Sequence, residues 1–284
     1  MGGNIYKVNN ATTTTTAQNM EIRDVVSLLS FNETSIQLGS YRKQINSLYG
    51  SVNLGWKHML YFDATLRGDQ SSTLPTNKNT YVYPSFSGSW VFSEVLKNNK
   101  ALPYGKLRMS WAQVGSDTNP YQLALNYTKS RYTYTGYPMG FINNSTIPNK
   151  NLKPTRTNSF EIGIETKFLQ NRISLDFTYY NQRSKNQIMG MATSWTSGYT
   201  YRLINAGEID NNGIEIQLGT RPIQTKDFSW DVNINFAENS NKVKELVDDM
   251  NLFELERASW CNVEVAAVVG ENFGSIIGPD YKRN

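Results

Sequence analysis

The chain has 284 residues, of which 39% are hydrophobic, 18% charged and 12% aromatic. One cysteine and one histidine exclude an internal disulfide, a cysteine metal cluster and any site that needs two histidines. The net charge of +4 is mild and no clustered basic stripe is present, which argues against a nucleic-acid-binding protein. Apolar runs reach about five residues, against roughly 20 in a membrane-spanning helix.

Apolar and charged residues are both less frequent than in a typical soluble domain, and uncharged polar residues are more frequent. Asparagine alone accounts for 32 residues. Tyrosine, with 17 residues, outnumbers phenylalanine with 12 and tryptophan with 6. This mixture is poor in helix formers and rich in strand and turn formers. It favours an all-β fold over a helical bundle or a nucleotide-binding α/β domain.

Apolar and polar side chains alternate along most of the chain, and this period of two predicts β-strands. In chain order the eight predicted strands span residues 45–56, 59–67, 82–92, 105–115, 158–168, 172–181, 211–220 and 228–237. Weaker patterns predict a loop at 12–16, a strand or a helix at 20–38, one helical turn within 93–104 and a loop helix within 242–256.

An antiparallel up-and-down sheet places alternate connections between these strands at opposite ends. One end then has connections of about 2, 12, 3 and 7 residues, and the other has about 14, 42 and 29 residues and a tail. Short turns at one end and long loops at the other are typical of a transmembrane β-barrel. A soluble β-sandwich also alternates every second residue, but it rarely sorts its loops by end in this way.

The two candidate folds place the apolar face of each strand differently. A sandwich buries that face in a dry core, whereas a membrane barrel turns it toward lipid and lines a wet interior with the polar face. Several aromatic residues near strand ends fit either interfacial girdles or ordinary strand aromatics. These aromatics are Trp56, Tyr61, Tyr83, Trp90, Phe92, Phe168, Tyr179, Tyr180, Trp230 and Phe236.

Several stretches, taken in order and with their spacing over residues 41–278, form a specific pattern. They lie at 41–50, 59–67, 71–75, 83–89, 106–111, 113–115, 151–154, 159–163, 176–181, 205–209, 212–215 and 269–276. In this pattern the chain resembles the SusC/RagA-like TonB-dependent outer-membrane transporters. The resemblance implies a 22-stranded barrel around a plug domain, in the outer membrane of a Gram-negative cell.

The resemblance also implies an activity and partners. Such transporters import oligosaccharides or oligopeptides with a SusD-like surface lipoprotein, and the TonB complex supplies energy through the plug. We expect this chain to be an internal segment of about eight strands, with the plug absent from it. On this interpretation residues 41–284 are a partial transmembrane barrel, and residues 1–40 are a poorly assigned loop or lead-in. Outer-membrane lipid is then a further partner, and nucleic acid is not.

Two predicted loops, 116–157 and 182–206, are rich in aromatic residues. Aromatic rings stack on sugars, clamp peptides or pack against a protein lid, and they also order their own loops, so all these roles stay open. The candidate ligand or lid contacts are Tyr121, Tyr127, Arg131, Tyr132, Tyr134, Tyr137, Trp195 and Tyr199.

An enzyme would need a catalytic constellation, and the sequence does not supply one. His58 falls in a predicted turn, and Glu161 and Glu165 would lie about 13 Å apart on one strand, too far for a glycosidase pair. We therefore expect no catalytic residue, metal or cofactor. The alternative function is a soluble or surface-exposed β-sandwich that binds carbohydrate; a glycoside hydrolase is a third, and it would need closer carboxylates.

Overall fold

A computed structural model describes residues 1–22, 24–25, 27–96, 99–142, 145–247 and 250–280. The strands are β1 (Gly2–Met20), β2 (Phe31–Trp56), β3 (Leu60–Ser71), β4 (Thr80–Trp90), β5 (Tyr104–Ser116), β6 (Tyr127–Tyr134), β7 (Tyr137–Ile142), β8 (Thr146–Ile147), β9 (Thr155–Phe168), β10 (Ile173–Ala192), β11 (Tyr201–Gln224), β12 (Ser229–Glu245), β13 (Leu252–Arg257), β14 (Glu264–Val268) and β15 (Ser275–Ile277). Short 3-10 turns lie at Leu28–Ser30, Phe92–Glu94 and Trp195–Ser197. Within these described ranges no helix has the length and hydropathy to cross a bilayer.

One large sheet dominates the molecule, and its strands follow the order β1-β2-β3-β4-β5-β9-β10-β11-β12. Each neighbouring pair is antiparallel, and β8 adds a short parallel pairing to the start of β11. Two small sheets, β6-β7 and β13-β14-β15, are not part of the large sheet. The large sheet is open, with β1 and β12 at its two borders.

The two ends of this sheet differ in their connections. The turn end has the connections 57–59, 91–103, 169–172 and 225–228. The loop end has the connections 21–30, 72–79, 117–154 and 193–200, and the third of these contains β6, β7 and β8. The prediction that the long connections lie at one end holds for the 38-residue connection 117–154. The predicted loop 182–206, in contrast, consists mostly of the paired ends of β10 and β11.

All eight predicted strands are present, and the sheet has two more than were predicted, β1 and the short β8. The loop prediction at 12–16 was wrong, because these residues lie inside β1 and pair with β2. Most of 20–38 belongs to the turn and to β2. The helix prediction within 242–256 was also wrong, because β12 runs to Glu245 and β13 begins at Leu252. The division at residue 40 into two parts stays a prediction.

The large sheet is called the wall from here on. At its loop end, β1 and β2 extend well beyond the other strands. The last residue of β2 that pairs with β3 is Ile45, so residues 31–44 of β2 and their partners in β1 project as a two-stranded ribbon. At about 3.3 Å per residue, the projection is about 45 Å long. A ribbon with water on both faces needs no apolar face, which explains why its run of threonines gives no alternating signal.

The alternation in sequence becomes two chemically different faces of the large sheet. The apolar face is open: Phe62 is 45% exposed and Ile234 is 53% exposed, and Leu54, Phe86 and Trp111 on the same face are also exposed. The polar face is built from hydrogen-bonded charges. The dry core that the alternative sandwich fold would have is therefore not found, since no second sheet covers the apolar residues among those described.

The interior packing that exists lies at the loop end. Val243, Leu246 and Ala267 form a buried apolar cluster, with Met250 and Phe253 against it. The backbone of 269–273 continues the border of β12 there, since the Phe273 amide donates to the Asn241 carbonyl at 3.0 Å. The apolar spacing that predicted a helix in 242–256 therefore reflects packing of β12 against the β13-β14-β15 sheet.

Candidate functional site

Charged side chains cross from strand to strand on the polar face of the wall. Arg108 of β5 reaches over β9 and donates two hydrogen bonds to Asp176 of β10, at 3.0 and 2.7 Å, and one to Thr178 at 2.6 Å. Glu161 of β9 lies 3.9 Å from the same guanidinium. A β-carbon at Gly163 would come within 2.7 Å of Arg108 Nε, so glycine at this position gives the arginine its path.

A second polar group lies on β2, β3 and β4. Arg67 donates to Asp69 at 2.9 Å and to Ser47 at 3.1 Å, and the Tyr83 hydroxyl donates to the other oxygen of Asp69. Asp63 accepts from Ser87 and from Asn53 in the same way. These hydrogen bonds and ion pairs give the charged side chains partners on a face that is not covered by a hydrophobic core. Such a face is chemically suited to line a water-filled passage.

Three aromatics proposed for girdles belong to this polar face instead. Tyr83 bonds to Asp69, the Tyr180 hydroxyl lies over Gly213, and the Tyr61 ring lies beside Gly55. Trp56, Trp90 and Trp230 are exposed near the turn end, in register with apolar neighbours. The girdle interpretation therefore fits these tryptophans and fails for the three tyrosines.

The long connection 117–154 is anchored to the wall at its first residue. Asp117 accepts from Lys43 Nζ at 2.6 Å and from Thr73 at 3.1 Å, and the side chains of both ions are mostly buried. Four residues later the Tyr121 hydroxyl accepts from the Arg42 amide at 3.2 Å. The sequence did not predict this anchor, because Lys43 and Asp117 are 74 positions apart.

Apart from Tyr121, the predicted tyrosines of this connection lie on the β6-β7 hairpin. Tyr134 and Tyr137 face each other across its turn, and Tyr127 pairs with Ile142 at its base. All three tyrosine side chains are largely exposed, so they do not serve to pack the loop on itself. The side chains of Arg131 and Tyr132, which were also predicted, lie outside the described part of the chain.

The second predicted loop is a short turn at the end of a long hairpin. Trp195 begins the 3-10 turn at the tip of β10 and β11 and is exposed, whereas Tyr199 is partly buried. The Thr200 amide donates to the Ser145 carbonyl at 2.8 Å, and β8 pairs with the start of β11. The structure therefore brings the two predicted loops together at the loop end, with aromatic rings open to solvent.

The residues considered for catalysis do not assemble. His58 lies in the turn between β2 and β3, with a φ of 54°, next to Lys57 whose ammonium stacks on Trp56 at 4.5 Å. Glu161 faces Arg108, while Glu165 accepts from the Tyr104 hydroxyl at 3.5 Å. In the described ranges, no group of three or more His, Cys, Asp or Glu residues is placed to hold a metal ion.

Comparison with known proteins gives a consistent result. The chain matches the family described as TonB dependent receptor-like, beta-barrel, over residues 3–253. It is 26% identical over 256 residues to TonB-dependent receptor P3 of Formosa agariphila, which covers 87% of this chain and 26% of that receptor. It is 27% identical over 222 residues to TonB-dependent receptor SusC of Bacteroides thetaiotaomicron, which covers 75% of this chain and 22% of SusC. The chain thus spans about a quarter of the length of these relatives.

Solved structures share the fold. The RagAB peptide importer in its closed-closed state superposes with a TM-score of 0.77 at 19% identity, over 95% of this chain and 30% of that chain. A second structure, of the RagAB peptide transporter, gives a TM-score of 0.73 at 21% identity, over 85% of this chain and 26% of that one. The resemblance predicted from sequence is confirmed: the chain belongs to the TonB-dependent receptor-like β-barrel family, whose members are outer-membrane proteins and not enzymes.

Proposed function

We propose that this chain forms part of the wall of a TonB-dependent outer-membrane transporter that imports oligosaccharides or oligopeptides. The observation that carries the proposal is the exposed apolar face of the large sheet, opposite a face of hydrogen-bonded charges. Burying one large apolar side chain stabilises a protein by about 1.5–3 kcal/mol, so leaving this whole face in water would cost on the order of tens of kcal/mol. Hydrocarbon removes that cost.

The dimensions of the apolar face support a place in a bilayer. On β2 it runs over the nine residues from Leu48 to Trp56, and a tilted transmembrane β-strand needs about 9–11 residues. Trp56, Trp90 and Trp230 stand near its lower border at the turn end, where amphipathic rings prefer the membrane interface. The polar face then faces the interior of the barrel.

The open borders of the sheet support a larger assembly. Unpaired backbone groups are not tolerated in hydrocarbon, so β1 and β12 need neighbours on their free sides. We propose that further strands of a 22-stranded barrel supply them, and that a plug domain, which we do not assign to this chain, stands against the polar face. The TonB complex would act on that plug.

The loop end is the proposed site of ligand and lid contact. Exposed rings at Tyr127, Tyr134, Tyr137 and Trp195 surround the mouth of the proposed conduit, where they can stack on sugars or peptide side chains or meet a SusD-like lipoprotein. The RagAB neighbours are a peptide transporter by name and SusC is a TonB-dependent receptor. Both substrate classes remain within the proposal.

The placement in a membrane can be tested with single cysteines introduced into a Cys261→Ser background. Leu54 on the apolar face and Ser51 on the polar face, both exposed, would each be replaced by cysteine and labelled with bimane. In vesicles that contain doxyl-labelled lipid and the complete barrel of which this chain forms part, we expect strong quenching at position 54 and little at position 51. Equal quenching at both positions, or a folded monodisperse chain in plain buffer, would contradict the proposal.

The ligand site can be tested by removing one ring. We expect Trp195→Ala to weaken binding of an oligosaccharide or oligopeptide substrate roughly tenfold, since stacked aromatic contacts are often the dominant ones in a binding site. Isothermal titration in detergent would measure it. Trp260→Ala is the matched control, because Trp260 is equally exposed but lies outside the predicted contacts. If both variants changed substrate affinity equally, Trp195 would not be a specific ligand contact.

A further inference from the structure

A polar cavity of about 370 Å³ lies where the ribbon of β1 and β2 leaves the wall at the loop end. The register places Lys7 opposite Gln44, and it places Asn9 opposite Arg42 two residues further along the ribbon. Side chains two residues apart on a strand share a face, so these four groups form a square on one face of the ribbon, and all four line the cavity. We call this square of two cations and two carboxamides the ribbon site.

The two cations of the ribbon site have no acidic partner. In the described part of the chain neither Lys7 nor Arg42 forms an ion pair, and both side chains are exposed. Asp117, the acid on the adjoining connection, is occupied by Lys43 at 2.6 Å and by Thr73 at 3.1 Å. Lys7 and Arg42 are diagonal neighbours, with β-carbons about 7–8 Å apart, so their like charges repel each other and a bound anion relieves that repulsion.

Tyr121 supplies an aromatic ring at the same cavity. Its φ of 65° lies in the left-handed region, which a bulky side chain rarely adopts. The hydroxyl accepts from the Arg42 amide, and 56% of the residue is exposed. Strained backbone of this kind persists only where the surrounding structure holds it, and it is concentrated at ligand-binding sites. The strained backbone thus places an open ring beside the two cations.

The free edge of β2 is closed beside the cavity. The Ser72 amide donates to the Gln44 carbonyl and the Gln44 amide donates to the Ser72 hydroxyl, each at 2.9 Å. The Arg42 amide is engaged by the Tyr121 hydroxyl in the same way. A peptide that binds by strand addition needs free main-chain groups at an edge, so the engaged amides of residues 42 and 44 disfavour this mode.

The ribbon site also stands above the headgroups of the proposed surrounding membrane. Arg42 lies six residues beyond Leu48, where the apolar face of β2 ends, and this is about 20 Å along the strand. A tilt of about 45° leaves about 14 Å of height, whereas the headgroup region on each side of a bilayer is about 5–8 Å thick. The phosphates of the bilayer therefore lie below the site.

We propose that the ribbon site binds the carboxylate groups of an acidic oligosaccharide, a chain of sugars that contains uronic acids. The inference rests on the proposed function and narrows its substrate class to an anionic glycan. Arg42 can hold a carboxylate through two parallel hydrogen bonds, and Lys7 adds a second positive charge. Asn9 and the side-chain oxygen of Gln44 can bind sugar hydroxyls, and the Tyr121 ring can stack on the apolar face of a sugar.

The test uses the complete barrel that contains this chain, in detergent micelles, and isothermal titration measures its affinity for hexagalacturonate. Lys7→Gln with Arg42→Gln removes both cations of the ribbon site. Lys78→Gln with Lys226→Gln is the matched control, because both lysines are exposed and lie outside the cavity. Lys7→Arg keeps both charges and reports whether substitution in the ribbon by itself disturbs the site.

We expect the double variant of the ribbon site to lose at least about tenfold in affinity, since charge-assisted hydrogen bonds are the strong ones. The control variant and Lys7→Arg should stay within about twofold of the unaltered barrel. Methyl-esterified hexagalacturonate has the same sugars without the charges, and it should bind at least about tenfold more weakly than the acid.

Three results would each overturn the inference: equal affinity for the acid and its ester, an equal loss in the control variant, or a hexaglutamate peptide that binds as tightly as hexagalacturonate. Failure of the proposed function is measured separately. If bimane at positions 54 and 51 is quenched equally, the proposed function fails and the substrate assignment with it. If position 54 lies in lipid and the double variant binds hexagalacturonate normally, only the ribbon site fails.

Discussion

The two faces of the large sheet are built on the same strands, yet different forces organise them. On the apolar face, side chains such as Phe62 and Phe86 touch one another and otherwise meet the surroundings, with ring centroids 6.5 Å apart. On the polar face, long side chains are held by partners on other strands, as Arg108 of β5 is held by Asp176 of β10. The side chains of the apolar face are organised mainly by the medium that surrounds them. Those of the polar face are organised by specific hydrogen bonds and ion pairs.

This difference determines which substitutions matter on each side. A face that is defined by its solvent tolerates any side chain of the right polarity, because no single partner is required. A face that is defined by contacts tolerates added charge but not the loss of a partner or of the space that a side chain crosses. The three predictions below test this contrast at single positions.

The largest effect is expected from a charge on the apolar face. Ile234→Lys should destabilise the complete barrel that contains this chain, in lipid vesicles, by about 2–4 kcal/mol, since Ile234 lies near the middle of the proposed membrane band. Its neighbour Asn235 faces the other way, and Asn235→Lys should change stability by less than about 1 kcal/mol. Urea titrations of the vesicle-bound barrel would measure both. Similar losses would show that the two faces share one environment.

An intermediate effect is expected at the anchor of the long connection. Asp117→Asn leaves the mostly buried Lys43 without its counter-ion, and we expect a local loss of about 1–2 kcal/mol in the opening free energy of residues 117–122. Hydrogen exchange would report it. The control is Asp231→Asn, because its pair with Arg221 has the same 2.6 Å distance but is exposed. Unchanged exchange at 117–122 would show that Asp117 does not anchor the loop.

The smallest effect is expected where glycine makes room for Arg108. Gly163→Ala should destabilise the chain by about 1 kcal/mol, because the new methyl group displaces the guanidinium from Asp176. In an Arg108→Gln background the same substitution should cost much less. Gly88→Ala is the control, since its β-carbon would meet no atom closer than 4.0 Å. If the stability losses of Gly163→Ala and Arg108→Gln were additive in the double variant, Gly163 would not be needed for Arg108 to cross β9.

The wall was predictable from sequence because one of its faces is apolar along the turn-end part of its strands. Strands such as Ile173–Ala192 and Ser229–Glu245 alternate strongly where they cross the proposed band, and the prediction located that part of each one. The upper parts of β10 and β11 were taken for a loop, because apolar and polar residues no longer alternate regularly there. Main-chain pairing continues without a sequence signal once the apolar requirement ends.

The contacts between distant residues were not predictable. Arg108 and Asp176 are 68 positions apart, and their meeting depends on the register of β5, β9 and β10 and on a glycine between them. The candidate aromatics were correctly placed at the loop end, because tyrosine-rich connections stand out in composition. Whether they contact ligand or lid remains a prediction, since composition does not reveal what meets an exposed ring.

The ribbon formed by β1 and β2 has a consequence for handling the protein. The turn at residues 21–30 connects the two strands of the ribbon, and eighteen residue pairs hold those strands together. A protease cut in the turn would therefore leave both pieces in place, and the wall would keep its shape. By the same reasoning, an epitope or a fluorescent tag inserted there would be carried about 45 Å from the wall without disturbing the large sheet.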